Sequence, residues 1–223
     1  MLFDLDGTLL DTLADLANSM NAVLTRLGFP THPTEAYRYF VGEGMDNLAR
    51  NVLPKDSLDE KTVSKCLTGM REEYGKHWAD NTKPYKGIPE LLCGLEQRKI
   101  ATAVLSNKPD ELTKIMVEKL LPDWSFRIAR GARPAMPKKP DPAAALEIAE
   151  ELQIHPHRFL YLGDTNTDMQ TANTAGMYAA GVLWGFRTAE ELLQNGAEKL
   201  IENPQDILKF FDDNQKTCPS DCR

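Results

Sequence analysis

The sequence predicts an α/β fold in which a doubly wound parallel sheet carries a helical insertion close to its start. Short apolar runs at 100–105, 126–129, 159–162 and 179–184 alternate with helical stretches at 88–98, 109–121, 141–152 and 166–175, as successive βαβ units do. An apolar opening, Met1-Leu2-Phe3, supplies one more strand, whereas no strand pattern occurs between Asp11 and about Lys83. At 223 residues, 42% hydrophobic and 26% charged, the chain has the composition of a globular protein and can bury a substantial core in one domain or two.

Taken in order, the opening strand runs into Asp4-Leu5-Asp6-Gly7-Thr8. Carboxylates at i and i+2 project the same way from extended backbone, and Gly7 lets the chain turn sharply away. The insertion follows. Leu13, Leu16, Ala17, Met20, Val23, Leu24 and Leu27 recur at helical spacing until Gly28 stops them. Further helical patterns over 33–40, 45–53 and 58–78, punctuated by Pro54 and Asp56-Ser57, complete a small four-helix bundle. After it, each apolar run ends in polar residues: Ser106-Asn107-Lys108-Pro109 after 100–105, and Gly163-Asp164-Thr165-Asn166-Thr167-Asp168 after 159–162. Lys139-Pro140-Asp141-Pro142 stands just before the helix at 141–152. The carboxyl ends of parallel strands are where open α/β sheets bind ligands.

A pair of acids at a strand tip can divide the work of covalent phosphoryl transfer, one attacking as a nucleophile and the other moving protons. A calcium loop is the competing reading of Asp-x-Asp-Gly, and its spacing fails, because Leu9 and Leu10 stand where further oxygen ligands belong. Singly, each of the other polar clusters reads as a turn or a solvated loop. Four in order at strand ends and helix starts form a constellation.

That constellation resembles the four signature motifs of the haloacid dehalogenase superfamily of phosphotransferases, here Asp4-Leu5-Asp6-Gly7-Thr8, Ser106-Asn107, Lys139-Pro140-Asp141-Pro142 and the stretch from Gly163 to Asp168. The resemblance spans most of the chain and implies a Rossmann-like core from 1–12 and 83–223, with a helical cap domain at 13–82 and hinges near Asp11-Thr12 and Thr82 to Tyr85. Softer patterns, among them Val41-Gly42-Glu43-Gly44-Met45, resemble the phosphoglycolate phosphatases of that superfamily. The resemblance implies Asp4 as nucleophile, Asp6 as general acid and base, and Ser106, the Asn107 backbone N–H and Lys139 as phosphate-binding groups. It also implies Mg²⁺ held by Asp4, the Asp6 carbonyl and Asp164, with Asp168 orienting that shell. Lys108 and Lys138 are rivals for the lysine role, but a surface position is expected for both. Gly42, Glu43 and Gly44 are the candidate cap loop over the substrate, a plain turn being the alternative. Arg50 and Arg187 could bind a substrate carboxylate, but a solvated surface role is the default for each.

The expected substrate is a small phosphorylated metabolite, with 2-phosphoglycolate as first choice. Mutase chemistry of the β-phosphoglucomutase kind is the alternative, and a phospho-acceptor signalling domain that does not turn over is the alternative from another class. A formal charge of −7 argues against non-specific nucleic-acid binding. No apolar stretch reaches membrane-spanning length, no signal peptide precedes Asp4, and four cysteines suit a reduced compartment, so a cytoplasmic protein, monomer or homodimer, is expected. Cys66 and Cys93 read as small apolar helix residues, and Cys218 and Cys222 lie in a polar tail without a completed zinc pattern. His155 and His157 flank Pro156 in what reads as a solvated loop. Members of the superfamily usually carry more than three residues before the nucleophile, so a longer natural start is expected.

Overall fold

A computed structural model describes residues 1–212, so Cys218 and Cys222 lie outside the described residues. Six parallel strands form the main sheet: β1 (Leu2–Phe3), β4 (Ala103–Pro109), β5 (Ile128–Ala132), β6 (Leu160–Gly163), β7 (Tyr178–Val182) and β8 (Lys199–Ile201), in the order β5-β4-β1-β6-β7-β8. β1 is central, pairing Leu2 and Phe3 with Ala103 and Val104 on one side and with Tyr161 and Leu162 on the other.

Alternation along the strands separates two cores. Phe3, Val104, Leu162 and Val182 point to one face with Leu91 and Leu95 of α5 (Ile88–Gln97) and Met116 and Val117 of α6 (Asp110–Leu120). Leu2, Ala103, Leu105, Tyr161 and Ala179 point to the other, against Ala145 and Ile148 of α7 (Ala143–Glu151) and Met169 and Ala172 of α8 (Asn166–Thr174). Burial on both faces explains why these strands read as continuous apolar runs. The order in which strands are added reverses at β1, with β4 and β5 on one side and β6, β7 and β8 on the other, which puts the topological switch point between β1 and β6.

The inserted stretch builds a third core of its own. Leu13, Leu16, Ala17, Met20, Val23 and Leu24 of α1 (Leu13–Leu27) pack with Leu48 and Val52 of α3 (Met45–Val52) and with Val63, Cys66, Met70 and Tyr74 of α4 (Glu60–His77). The pattern at 33–40 divides into a 3₁₀ turn, Thr34–Ala36, and the single turn α2 (Tyr37–Phe40). Where no strand pattern was visible, two residue pairs close an antiparallel ribbon: β2 (Leu10–Asp11) and β3 (Lys83–Pro84), with Leu10 opposite Pro84 and Asp11 opposite Lys83. Both ends of the insertion are therefore tied side by side.

Asp15 reinforces the tie. It is 1% exposed and accepts hydrogen bonds of 2.7–3.0 Å from the backbone N–H groups of Asn81 and Thr82 and from both side chains. Burial alone would raise its pKa, but these donors outweigh it and hold the carboxyl below the ordinary value.

Other differences from the sequence reading have local causes. Ile100 does not enter the sheet, because its N–H turns back to the Leu95 carbonyl at 3.0 Å and closes the end of α5. The run at 126–129 shifts onward, since Ile128 is the residue that pairs with Ala103, while Phe126 sets its ring edge-on to Phe3 at 6.5 Å. β7 ends at Val182, and Trp184 leaves the sheet to donate from Nε1 to the Thr8 carbonyl at 2.9 Å. The edge strand β8 and the short helix α9 (Ala189–Gln194) had no expectation attached: three residues after Glu198 and six without a repeating period give little signal. Cys66 is buried as expected, but Cys93 is exposed, its Sγ accepting from Trp124 Nε1 at 3.4 Å. His155 and His157 are exposed in their loop.

Candidate active site

β1 delivers Asp4 to the switch point, where the Asp4 N–H continues the sheet by donating to the Leu162 carbonyl at 2.8 Å. The sequence-predicted residues converge there. Lys139 Nζ donates to Asp4 Oδ1 at 2.7 Å, to Asp168 Oδ1 at 2.7 Å and to the Leu105 carbonyl at 3.1 Å, which uses all three of its protons. Burial would lower its pKa, but the two carboxylates more than offset that and hold it well above the ordinary lysine value. The Lys139–Pro140 peptide is cis.

Asp164, at the end of β6, is fully buried. Its Oδ1 accepts from Thr8 Oγ1 and its Oδ2 from the Phe186 N–H, each at 2.8 Å. Asp168 Oδ2 accepts from the backbone N–H and hydroxyl of Thr165, which caps α8, and Tyr161 donates to Oδ1 at 3.3 Å. Two glycines make room for Asp164. A Cβ on Gly7, whose φ is +88°, would stand 2.2 Å from Asp164 Oδ2, and one on Gly185 would stand 2.2 Å from Asp164 Cβ.

Oxygens of Asp4, Asp164 and Asp168 lie within 4.8 Å of one another, all buried. Burial and the neighbouring Asp168 charge raise Asp4 well above the ordinary carboxyl range, against the pull of Lys139, and push Asp164 up to about 7. One lysine does not neutralise three buried carboxylates. An all-oxygen, negatively charged cluster with space cleared by two glycines fits a hard divalent cation.

Ser106 and Asn107 come from β4 and are buried. Ser106 Oγ accepts from the Lys108 N–H at 3.2 Å. The Asn107 side chain does more than its sequence position foretold: Nδ2 donates to the carbonyls of Lys139 and of Gly42, each at 3.0 Å, and Oδ1 accepts from the Lys139 N–H at 2.9 Å. It fixes the lysine loop and touches the insertion with the same amide.

A cavity of about 50 Å³ is lined on the sheet side by Asp4, Asp6, Ser106, Asn107 and Lys108, and on the insertion side by Leu16, Val41, Gly42, Gly44, Met45 and Leu48. Gly42 and Gly44 therefore reach the site, whereas Glu43 is exposed and accepts from Asn47 Nδ2 at 2.8 Å. The segment 184–187 holds the two halves together. Arg187 donates to the carbonyls of Arg38 and, at 3.1 Å, Val41, while Arg38 donates to the Gly185 carbonyl at 2.8 Å. Phe186 is buried in the core of the insertion.

One expectation is overturned. Lys108, assigned to the surface, is 5% exposed, and its Nζ donates to Asp6 Oδ1 at 2.8 Å and to the Tyr74 hydroxyl at 3.0 Å. Its position two residues past Ser106 on a β-strand placed it on the same side, and this was the available signal. Lys138 is exposed, as expected. Arg50 pairs with Asp46 and Glu60 at 3.2 and 3.1 Å. Thr8, Tyr74 and the Phe186 N–H carried no expectation at all.

The family model described as haloacid dehalogenase-like hydrolase matches residues 1–182. The chain belongs to this family. It is 32% identical over 218 residues to a phosphoglycolate phosphatase of Aquifex aeolicus, covering 96% of this chain and 97% of that one. An N-acetylmuramic acid 6-phosphate phosphatase of Pseudomonas aeruginosa is 29% identical, covering 95% and 94%. Among solved structures, a candidate phosphoglycolate phosphatase from Lactobacillus delbrueckii superposes with a TM-score of 0.88 at 28% identity, over 94% of this chain and 96% of that one. The protein is a phosphatase, a phosphoric monoester hydrolase. Among the described residues, no helix is long and apolar enough to cross a membrane.

Proposed function

We propose that this phosphatase hydrolyses a small phosphorylated metabolite, best matched by 2-phosphoglycolate, through a phosphoryl group carried on Asp4. The observation that carries the reading is Asp4, which lines a cavity with Asp6, Ser106 and Asn107 and is paired from behind with Lys139 at 2.7 Å. Lys139 occupies Asp4 Oδ1, so Oδ2 is the oxygen that attacks phosphorus. As the P–O bond to the leaving group breaks, Asp6 gives that alkoxide its proton. A water molecule then attacks the aspartyl-phosphate and gives a proton back to Asp6, freeing phosphate and regenerating Asp4. The Ser106 hydroxyl and the Asn107 backbone N–H supply donors to the phosphoryl oxygens, and Lys139 supplies positive charge. Asp4, the Asp6 carbonyl and Asp164 would hold Mg²⁺, with Asp168 orienting this shell and Lys139. The ion's chemistry there is to offset the repulsion between a carboxylate and a phosphate dianion.

Residues 13–82 act in this reading as a cap on a core of 1–12 and 83–223, with the β2–β3 ribbon as hinge and Gly42 and Gly44 as the roof over the substrate. The phosphoglycolate phosphatase of Aquifex aeolicus, 32% identical over nearly the whole of both chains, supports 2-phosphoglycolate as the first substrate to try. The test is phosphate release from 2-phosphoglycolate, sugar phosphates, nucleotides and pyrophosphate, with and without Mg²⁺ and with Asp4→Asn as control. A Mg²⁺-dependent preference for 2-phosphoglycolate is expected. A preference for a hexose phosphate would overturn the substrate, and transfer of phosphate within a sugar phosphate would install the mutase in its place.

A further inference from the structure

Lys108 links the core to the insertion through a single ammonium group. Its donation to Asp6 Oδ1 at 2.8 Å is the only side-chain hydrogen bond to that carboxylate among the described residues. Its second proton goes to the hydroxyl of Tyr74, and Nζ stands 4.6 Å from the centroid of the same ring. Tyr74 is fully buried on α4, so its ring is set by the packing of the insertion and not by the sheet. The lysine main chain is in turn anchored to Ser106 Oγ. A flexible side chain held at two points keeps one direction; held at one, it swings, and the carboxylate it pairs with turns too.

We propose that Tyr74 is a positioning residue that acts through Lys108 to aim the Asp6 carboxyl at the leaving oxygen, so that protonation of the leaving group requires the insertion to be seated. The proposal rests on the reading of Asp6 as general acid. In the step concerned, the proton leaves the Asp6 carboxyl for the departing alkoxide as the P–O bond breaks, and Lys108 matches the carboxylate left behind. Water returns that proton to Asp6 in the second half-reaction. Tyr74 exchanges no proton with the substrate.

The test compares kcat/KM for 2-phosphoglycolate, whose alkoxide must be protonated, with that for acetyl phosphate, whose carboxylate leaves without a proton. Because kcat/KM ends at the first irreversible step, it isolates departure of the leaving group from the later hydrolysis. Tyr74→Phe, which keeps the ring and removes the hydroxyl, is expected to lose about 10-fold on 2-phosphoglycolate and less than ~2-fold on acetyl phosphate. Lys108→Met is expected to show the same selectivity with a larger loss. Equal losses on the two substrates, or no loss in Tyr74→Phe, would overturn the positioning role, since damage to the fold or to phosphate binding does not distinguish leaving groups. Asp6→Asn in the same assay separates the premise from the proposal. A selective loss there with none in Tyr74→Phe removes Tyr74 alone, whereas an equal loss there removes Asp6 as the acid and the proposal with it.

Discussion

On the sheet side of the cavity, the structure is made of charges that answer one another: Lys139 between Asp4 and Asp168, and Asp164 between the Thr8 hydroxyl and the Phe186 N–H. On the insertion side, apart from the Lys108 contact with the Tyr74 hydroxyl, the contacts are made to main-chain carbonyls. Asn107 reaches Gly42, Arg187 reaches Val41 and Arg38, and Arg38 reaches Gly185. The first kind of contact needs particular side chains at particular positions. The second needs only a backbone brought to the right place. Chemistry belongs to the sheet side in this account, and access and alignment to the other, so changes in the two regions should fail differently.

The largest effect expected is that of Asp4→Asn, which removes the proposed nucleophile. Turnover should fall by at least ~10³-fold while circular dichroism stays that of the wild type. In Mg²⁺-free buffer its thermal midpoint should be no lower than the wild type's, because the change also removes one of three crowded buried carboxylates. A fall in the midpoint would mean that the Asp4–Lys139 pair holds the fold together rather than serving the reaction.

Asp164→Asn tests the same side more gently. The Mg²⁺ concentration for half-maximal activity should rise at least ~10-fold, and an unchanged titration would remove Asp164 from the ion.

The β2–β3 ribbon sharpens the comparison, because there a side chain and a backbone meet. Asp15→Asn should cost about 2 kcal/mol near neutral pH, as charge-assisted bonds to Asn81 and Thr82 weaken, with denaturant melts as the measure. The Asp15 carboxyl is held below its ordinary value, so its stabilisation is fully present above the unfolded-state pKa of about 4 and lost as pH falls through the lower folded value. The gap between wild type and variant should therefore be flat at neutral pH and close in acid. A gap that widens in acid would contradict the assignment.

The smallest effect is expected from the roof. Arg187→Met removes the donors to Val41 and Arg38, and should raise KM by roughly five-fold, about 1 kcal/mol, with kcat within ~2-fold. A loss confined to kcat would place Arg187 with the chemistry instead.

The same contrast explains what could be read from the sequence. Asp4, Asp6, Ser106, Asn107, Lys139, Asp164 and Asp168 sit at strand ends or helix starts, and strand ends are visible as apolar runs that stop. Five of the six strands of the main sheet were visible in this way, and β8 was not, because it is three residues at an edge with little apolar run to find. The β2–β3 ribbon was invisible for another reason: its two pairs lie about seventy positions apart, and only closure of the whole insertion brings them together. Tyr74 and Lys108 are separated by 34 positions and belong to different cores, so no local pattern joins them. Lys108 was misplaced because a lysine in a polar tetrapeptide has the composition of a surface, and what buries it is the approach of α4. The segment Trp184-Gly185-Phe186-Arg187 supplies one N–H to Asp164, one aromatic to the insertion and one guanidinium to its backbone, contacts that no local pattern signals.

The central claim is that the phosphoryl group passes through Asp4, and trapping it is the most direct test. Enzyme turning over its best substrate with Mg²⁺ would be quenched in acid and mapped by peptide mass spectrometry. The account predicts one phosphoryl group on the peptide that contains Asp4, absent from Asp4→Asn and disappearing once substrate is exhausted. Phosphate release at the wild-type rate by Asp4→Asn, or a phosphoryl group carried on any other residue, would contradict it.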